Sequence, residues 1–115
     1  MARISYSDTA RLDLAAAIST IREYFELRES FELGERHVLD FKAGMRAKEQ
    51  LIQDNPRLYA VRDDGYFKGA IRQYRSFSVH WFIVFYSYDE PEDEVTIWFI
   101  RSSKSNYSNT LFLVK

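Results

Sequence analysis

The chain has 115 residues, 46% of them hydrophobic, and sixteen basic against seventeen acidic side chains, for a net charge of -1. That length suits a single domain spanning 1–115 with one core, folding without a disulfide or structural metal. The absence of cysteine excludes zinc ribbons, iron–sulfur clusters and thiol catalysis, and the balanced charge excludes a global field that would hold nucleic acid.

Arg3 to Tyr6 alternates and predicts a short first strand, after which Ser7 or Asp8 caps a helix. Over Asp8 to Arg28, the residues Leu14, Ile18, Ile21 and Phe25 fall on one face of a 3.6-residue period. Glu26 to Gly34 is charged and mixed, so a turn is expected there, with Gly34 as the break and a second helix from about Glu35. Val38, Phe41, Met45 and Ile52 mark its buried stripe, and Asn55-Pro56 ends it. From Arg57 to Gly69, Asp63-Asp64-Gly65 and the lack of any period predict a connecting loop, with the acidic pair serving turn chemistry.

Thirteen of the nineteen aromatic residues lie between Tyr66 and Phe112, which favours extended structure. Three strands are predicted: Ile71 to Val79, with Phe77 and Val79 opposite Tyr74, Ser76 and Ser78; Trp81 to Tyr88, apolar enough to be central; and Val95 to Arg101. A hairpin loop from Asp89 to Glu94 joins the last two. The expected fold is α+β: a short N-terminal strand, a two-helix hairpin, then a three-stranded antiparallel meander. Trp98, Tyr74 and Tyr88 exceed what one covered sheet face can bury. An apolar remainder is therefore expected to take a partner across the helical pair and an exposed sheet edge.

All five carboxylates beyond residue 70 lie in that one hairpin loop, whereas Arg72, Arg75, Arg101 and Lys104 lie along the strands or just past them. Arginine offers planar bidentate bonding to phosphate, and Tyr74, Trp98 and Tyr107 are available to stack on a base. The plainer alternative is that the cations solvate a face and the aromatics fill the core. His80 at the head of the central strand can transfer protons near neutral pH, though a turn role accounts for it as well, and His37 reads as a helix-surface or packing residue. Two histidines do not fill a metal site or complete a triad, and four scattered glycines form no phosphate cradle, so no metal or cofactor is expected. With no apolar stretch at the amino terminus and no run near the roughly 20 residues of a membrane span, a cytoplasmic protein without membrane association is expected.

Tyr74-Arg75-Ser76-Phe77-Ser78-Val79, Ile83-Val84-Phe85-Tyr86, Asp89-Glu90 and Val95-Thr96-Ile97 with Arg101 beyond resemble the carboxy-terminal half of the RelE/ParE toxin superfamily. Ser7-Asp8-Thr9-Ala10 opening the first helix and Asn55-Pro56-Arg57-Leu58 closing the second resemble its other half, so the likeness spans nearly the whole chain. The resemblance implies a growth-inhibiting toxin of a type II toxin–antitoxin system, of the plasmid-stabilisation kind, neutralised by a co-encoded antitoxin. RelE-like members cut messenger RNA on the ribosome without a metal, and that resemblance would place Arg75, Arg101, Lys104 and Tyr107 in the catalytic site. Tyr107 would need cationic neighbours to act as a base, its ordinary pKa being about 10. ParE-like members poison DNA gyrase and need only a binding surface. The serine-rich run Ser102-Ser103-Lys104-Ser105-Asn106 and the slightly acidic whole depart from the nuclease pattern, which favours the ParE-like alternative.

Overall fold

In the computed structural model the described residues are 1–62 and 72–103. The chain runs β1 (Arg3–Tyr6), α1 (Asp8–Arg28), α2 (Phe31–Asp54), β2 (Val61–Arg62), β3 (Tyr74–Val79), β4 (Phe82–Asp89) and β5 (Glu94–Ser102). Ser7 starts α1, its Oγ accepting the Ala10 N–H at 3.0 Å. Asp8 in the first turn and Arg28 in the last complement the helix dipole.

The second helix begins four residues before the predicted Glu35. Ser30 caps it by accepting the Leu33 N–H at 3.1 Å, so the break falls at Glu29–Ser30. Gly34 is therefore helical. It marks the close approach of the two helices, because a Cβ there would stand 3.0 Å from the Arg22 carbonyl oxygen. Asn55 closes α2, its N–H bonded to the Leu51 carbonyl just before Pro56. Val38, Phe41, Met45 and Ile52 are all buried, as the predicted stripe requires.

The sheet has five strands in the order β1-β5-β4-β3-β2. β3, β4 and β5 form the predicted antiparallel meander, with Arg75 opposite Tyr86 and Ile83 opposite Arg101. The sheet is nevertheless mixed, because β1 lies parallel to β5 with Ile4 against Val95 and Tyr6 against Ile97. The expected loop after Asn55 also contains β2, two residues that pair with Tyr74 and Arg75. The start of the first meander strand is Tyr74; the predicted Ile71, and Asp63-Asp64-Gly65, lie outside the described residues.

Two apolar layers result. Phe82, Val84 and Tyr86 of β4 join Val95, Ile97 and Ile100 of β5 and the helices in the main core. Tyr74, Phe85 and Phe99, with Ile83 and Trp98, form a second cluster on the other face. Phe85 pairs with Phe99 and Tyr86 with Ile97, so Trp98 is the extra residue of a β-bulge that adds its ring to this second cluster. The expected surplus of exposed aromatics on that face is thereby reduced: Tyr74 is 7% exposed and Phe85 fully buried. No helix among the described residues is long and apolar enough to cross a membrane.

Candidate functional site

Arg75 and Arg101 carry the predicted cationic site, and β4 lies between their strands. Arg75 shares the parity of Phe77 and faces the main core, where its Nη1 donates to the carbonyls of Tyr59 at 2.5 Å and Arg57 at 3.4 Å. Those bonds tie the segment after α2 to the sheet. Arg101 follows the core residue Ile100, with its guanidinium carbon 5.1 Å from the centre of the Phe99 ring. Their strand partners, Tyr86 and Ile83, stand three residues apart on β4. The two arginines are thus displaced by roughly 10 Å along the strands and by two strand spacings across.

Arg101 is also committed internally. Its Nη1 donates to Asp13 Oδ2 at 2.5 Å, and its side chain is only 11% exposed. The Nε of Arg101 is buried with no acceptor among the described residues. A guanidinium held by a carboxylate offers little net charge to a phosphate. Lys104 and Tyr107 lie outside the described residues.

Of the aromatic candidates, Tyr74 is buried and Trp98 is covered on one face by an arginine. Three arginines lie over the second aromatic cluster: Arg62 over Phe85, Arg72 over Trp98 at 3.8 Å and Arg101 over Phe99. Arg72 also donates to the Tyr74 hydroxyl at 3.0 Å. Trp98 is held from its edge, its indole N–H donating to Ser87 Oγ at 2.7 Å.

The free edge of β5 is closed as well. Past Ile97 that strand has no β1 neighbour, and Ser7 Oγ donates to the Trp98 carbonyl at 2.6 Å while Asp13 accepts the Ile100 N–H at 2.9 Å. A partner strand does not find that stretch of β5 bare, while β1 and β2 form the two edges of the sheet.

One open groove lies between the helices. Tyr6, Leu14, Ile18 and Met45 form its floor, and Lys42, Arg46 and Glu49 its rim. Tyr6 donates to Glu49 Oε2 at 2.5 Å; burial first, then that carboxylate, holds the phenol far above its ordinary range. Among the described residues neither Lys42 nor Arg46 has an ion-pair partner. The stripe Leu14–Ile18 was legible in the sequence; the cations facing it from α2 depend on how the helices cross.

Over 89% of its length this chain is similar to 96% of a chain of the chromosomal ParDE TA system from P. aeruginosa, with a TM-score of 0.57 and 16% identity. Over 90% of its length it is similar to 97% of a metal-bound toxin from Helicobacter pylori, with a TM-score of 0.56 and 15% identity. This chain shares its fold with both. No family model and no curated protein matches its sequence.

On this framework the two histidines lie together. His80, in the β3–β4 turn at φ 56°, meets His37 of α2 with Nε2 and Nδ1 3.1 Å apart. The turn role predicted for His80 holds, but the bridge between two residues 43 apart carries no sequence signal. Among the described residues no three His, Cys, Asp or Glu side chains are grouped so as to hold a metal ion.

Proposed function

We propose that this protein is the toxin of a type II toxin–antitoxin system, inhibiting growth by ParE-like binding to DNA gyrase and neutralised by a co-encoded antitoxin. The fold supports the toxin class. The observation that favours binding over ribosome-dependent RNA cleavage is the separation of Arg75 from Arg101 by two strand spacings of the sheet, each engaged in internal bonds. In-line attack by a 2′-hydroxyl needs cations gathered around one phosphate, and these two arginines are not so gathered.

The groove lined by Leu14, Ile18 and Met45 is the antitoxin site in this proposal. Its apolar floor suits the hydrophobic face of a helical or extended segment, and Lys42 and Arg46 on the rim suit acidic residues flanking that face. Co-expression with the product of the neighbouring open reading frame tests the assignment. Growth arrest by the chain alone, relieved by that product and restored by Lys42→Glu with Arg46→Glu, is expected. Unchanged growth on expressing the chain alone would sink the toxin assignment, whereas arrest relieved equally well with the charge-reversed variant would sink the groove.

A further inference from the structure

The histidine bridge joins the β3–β4 turn to the second helix. His37 projects from the second turn of α2 and stacks flat on Phe25 of α1, with ring centres 3.7 Å apart and planes within 2°. His80 sits at the tip of the β3–β4 turn, edge-on to both His37 and Phe41, and next to Trp81. Trp81 in turn packs against Tyr24 and Phe25. The 3.1 Å contact requires one ring nitrogen to donate and the other to accept, so the bridge exists with both rings neutral or with one proton added. A second proton removes the acceptor and sets two cations against each other.

We propose that His37 and His80 form a proton-operated latch, which docks the β3–β4 turn and its Trp81 on the helical pair near neutral pH and releases it when both rings are charged. The charged groups acting on His80 are His37 and Asp40, both on α2. From α1 the pair meets Phe25 and, through Trp81, Tyr24, over whose ring Arg28 lies at 4.1 Å. Asp40 favours the charged form of His80, but burial and His37 outweigh it, so the His80 imidazole loses its proton more readily than an ordinary one. Release is local. Val79 pairs with Phe82 to close the β3–β4 hairpin, and the Trp81 carbonyl accepts the N–H and the Oγ–H of Ser103 just past β5, both at 2.8 Å, so the backbone stays on the sheet while the side chains of the tip leave the helices. The device adds a pH dependence to the aromatic tip, on a different surface from the groove assigned to the antitoxin.

Proton NMR of the full chain between about pH 8 and pH 4.5 tests this, following the two imidazole Cε1–H signals, the Trp81 indole N–H and amide exchange. The expected result is two steps separated by at least about one pH unit, a tenfold difference in proton affinity. The lower step should move the Trp81 indole signal and speed exchange at the Trp81 amide at least about tenfold, while the Val84 and Ile97 amides stay protected. His80→Asn keeps the turn, since Asn tolerates positive φ; in it the indole signal should be insensitive to pH. Three results would each overturn the latch: imidazoles titrating together within a few tenths of a unit, a Trp81 response retained in His80→Asn, or loss of Val84 and Ile97 protection in the same step.

Discussion

Asp13 and Arg101, 88 residues apart in sequence, share an ion pair whose carboxylate oxygen also accepts the Ile100 N–H. β1 ends at the Tyr6–Ile97 pair, leaving the rest of β5 without a strand on that side. α1 then crosses the gap and supplies Ser7 and Asp13 to the backbone groups that a further strand would have satisfied. Arg101 folds around the edge to meet them, which makes it a structural residue before it is anything else.

Removing either partner leaves the other charge largely buried, so Asp13→Ala and Arg101→Ala are each expected to lower stability by about 3 kcal/mol. Arg101→Met with Asp13→Asn removes the charges while keeping an acceptor for Ile100, and should lie within about 1 kcal/mol of the parent chain. Urea unfolding of the four proteins measures this. Loss of a biological effect in Arg101→Ala alone therefore says nothing about catalysis; the double variant is the proper probe.

Gly44 of α2 lies against β3, where a Cβ would stand 2.8 Å from Val79 Cγ1. Gly44→Ala gains up to about 1 kcal/mol of helix propensity, yet the forced shift of α2 or of the Val79 rotamer should leave a net loss of about 1–2 kcal/mol. In a Val79→Ala background the obstructing methyl is gone. A double-mutant cycle by thermal unfolding should then give a coupling of about 1–2 kcal/mol, with the alanine at 44 no longer harmful.

Burial pushes the Tyr86 phenol up to about 12 against the partial relief of Arg75 nearby. The folded state therefore holds this proton more tightly than the unfolded chain, whose tyrosines titrate near 10. Its contribution is complete below pH 10 and is lost as pH rises from about 10 through 12. Stability should fall by about 2 kcal/mol across that window. Tyr86→Phe should flatten the slope, leaving the share due to Tyr6, whose phenol is also raised.

The parts legible in the sequence are those governed by local chemistry. Ser7 as a cap, the Leu14–Ile18–Ile21–Phe25 stripe and Asn55-Pro56 place the bounds of α1 and the end of α2 because each signal acts within a turn of helix. Gly34 resembles a breaker in sequence and so points to a start of α2 near Glu35 rather than Phe31, while its true constraint is the Arg22 carbonyl on another helix. β2 exists through its pairing with Tyr74 and Arg75, and two residues carry no period of their own. Alternation along β3 and β5 put Arg75 and Arg101 on strands, but the bulge at Trp98 resets the faces of β5, which a residue count cannot foresee. Asp13 did have a signal. It shares a face with Ala10 and Ala17, both buried, and a carboxylate between two buried alanines needs a partner.

The proposed ParE-like action needs a binding surface, and among the described residues Arg75 and Arg101 are not gathered at one point. Adding the purified chain to a coupled translation reaction and, in parallel, to gyrase with supercoiled plasmid tests it most directly. Gyrase-linked DNA breaks with the reporter message intact are predicted. Ribosome-dependent cuts within codons, abolished by Arg75→Ala and by the Arg101→Met, Asp13→Asn double variant, with plasmid untouched, would contradict the account.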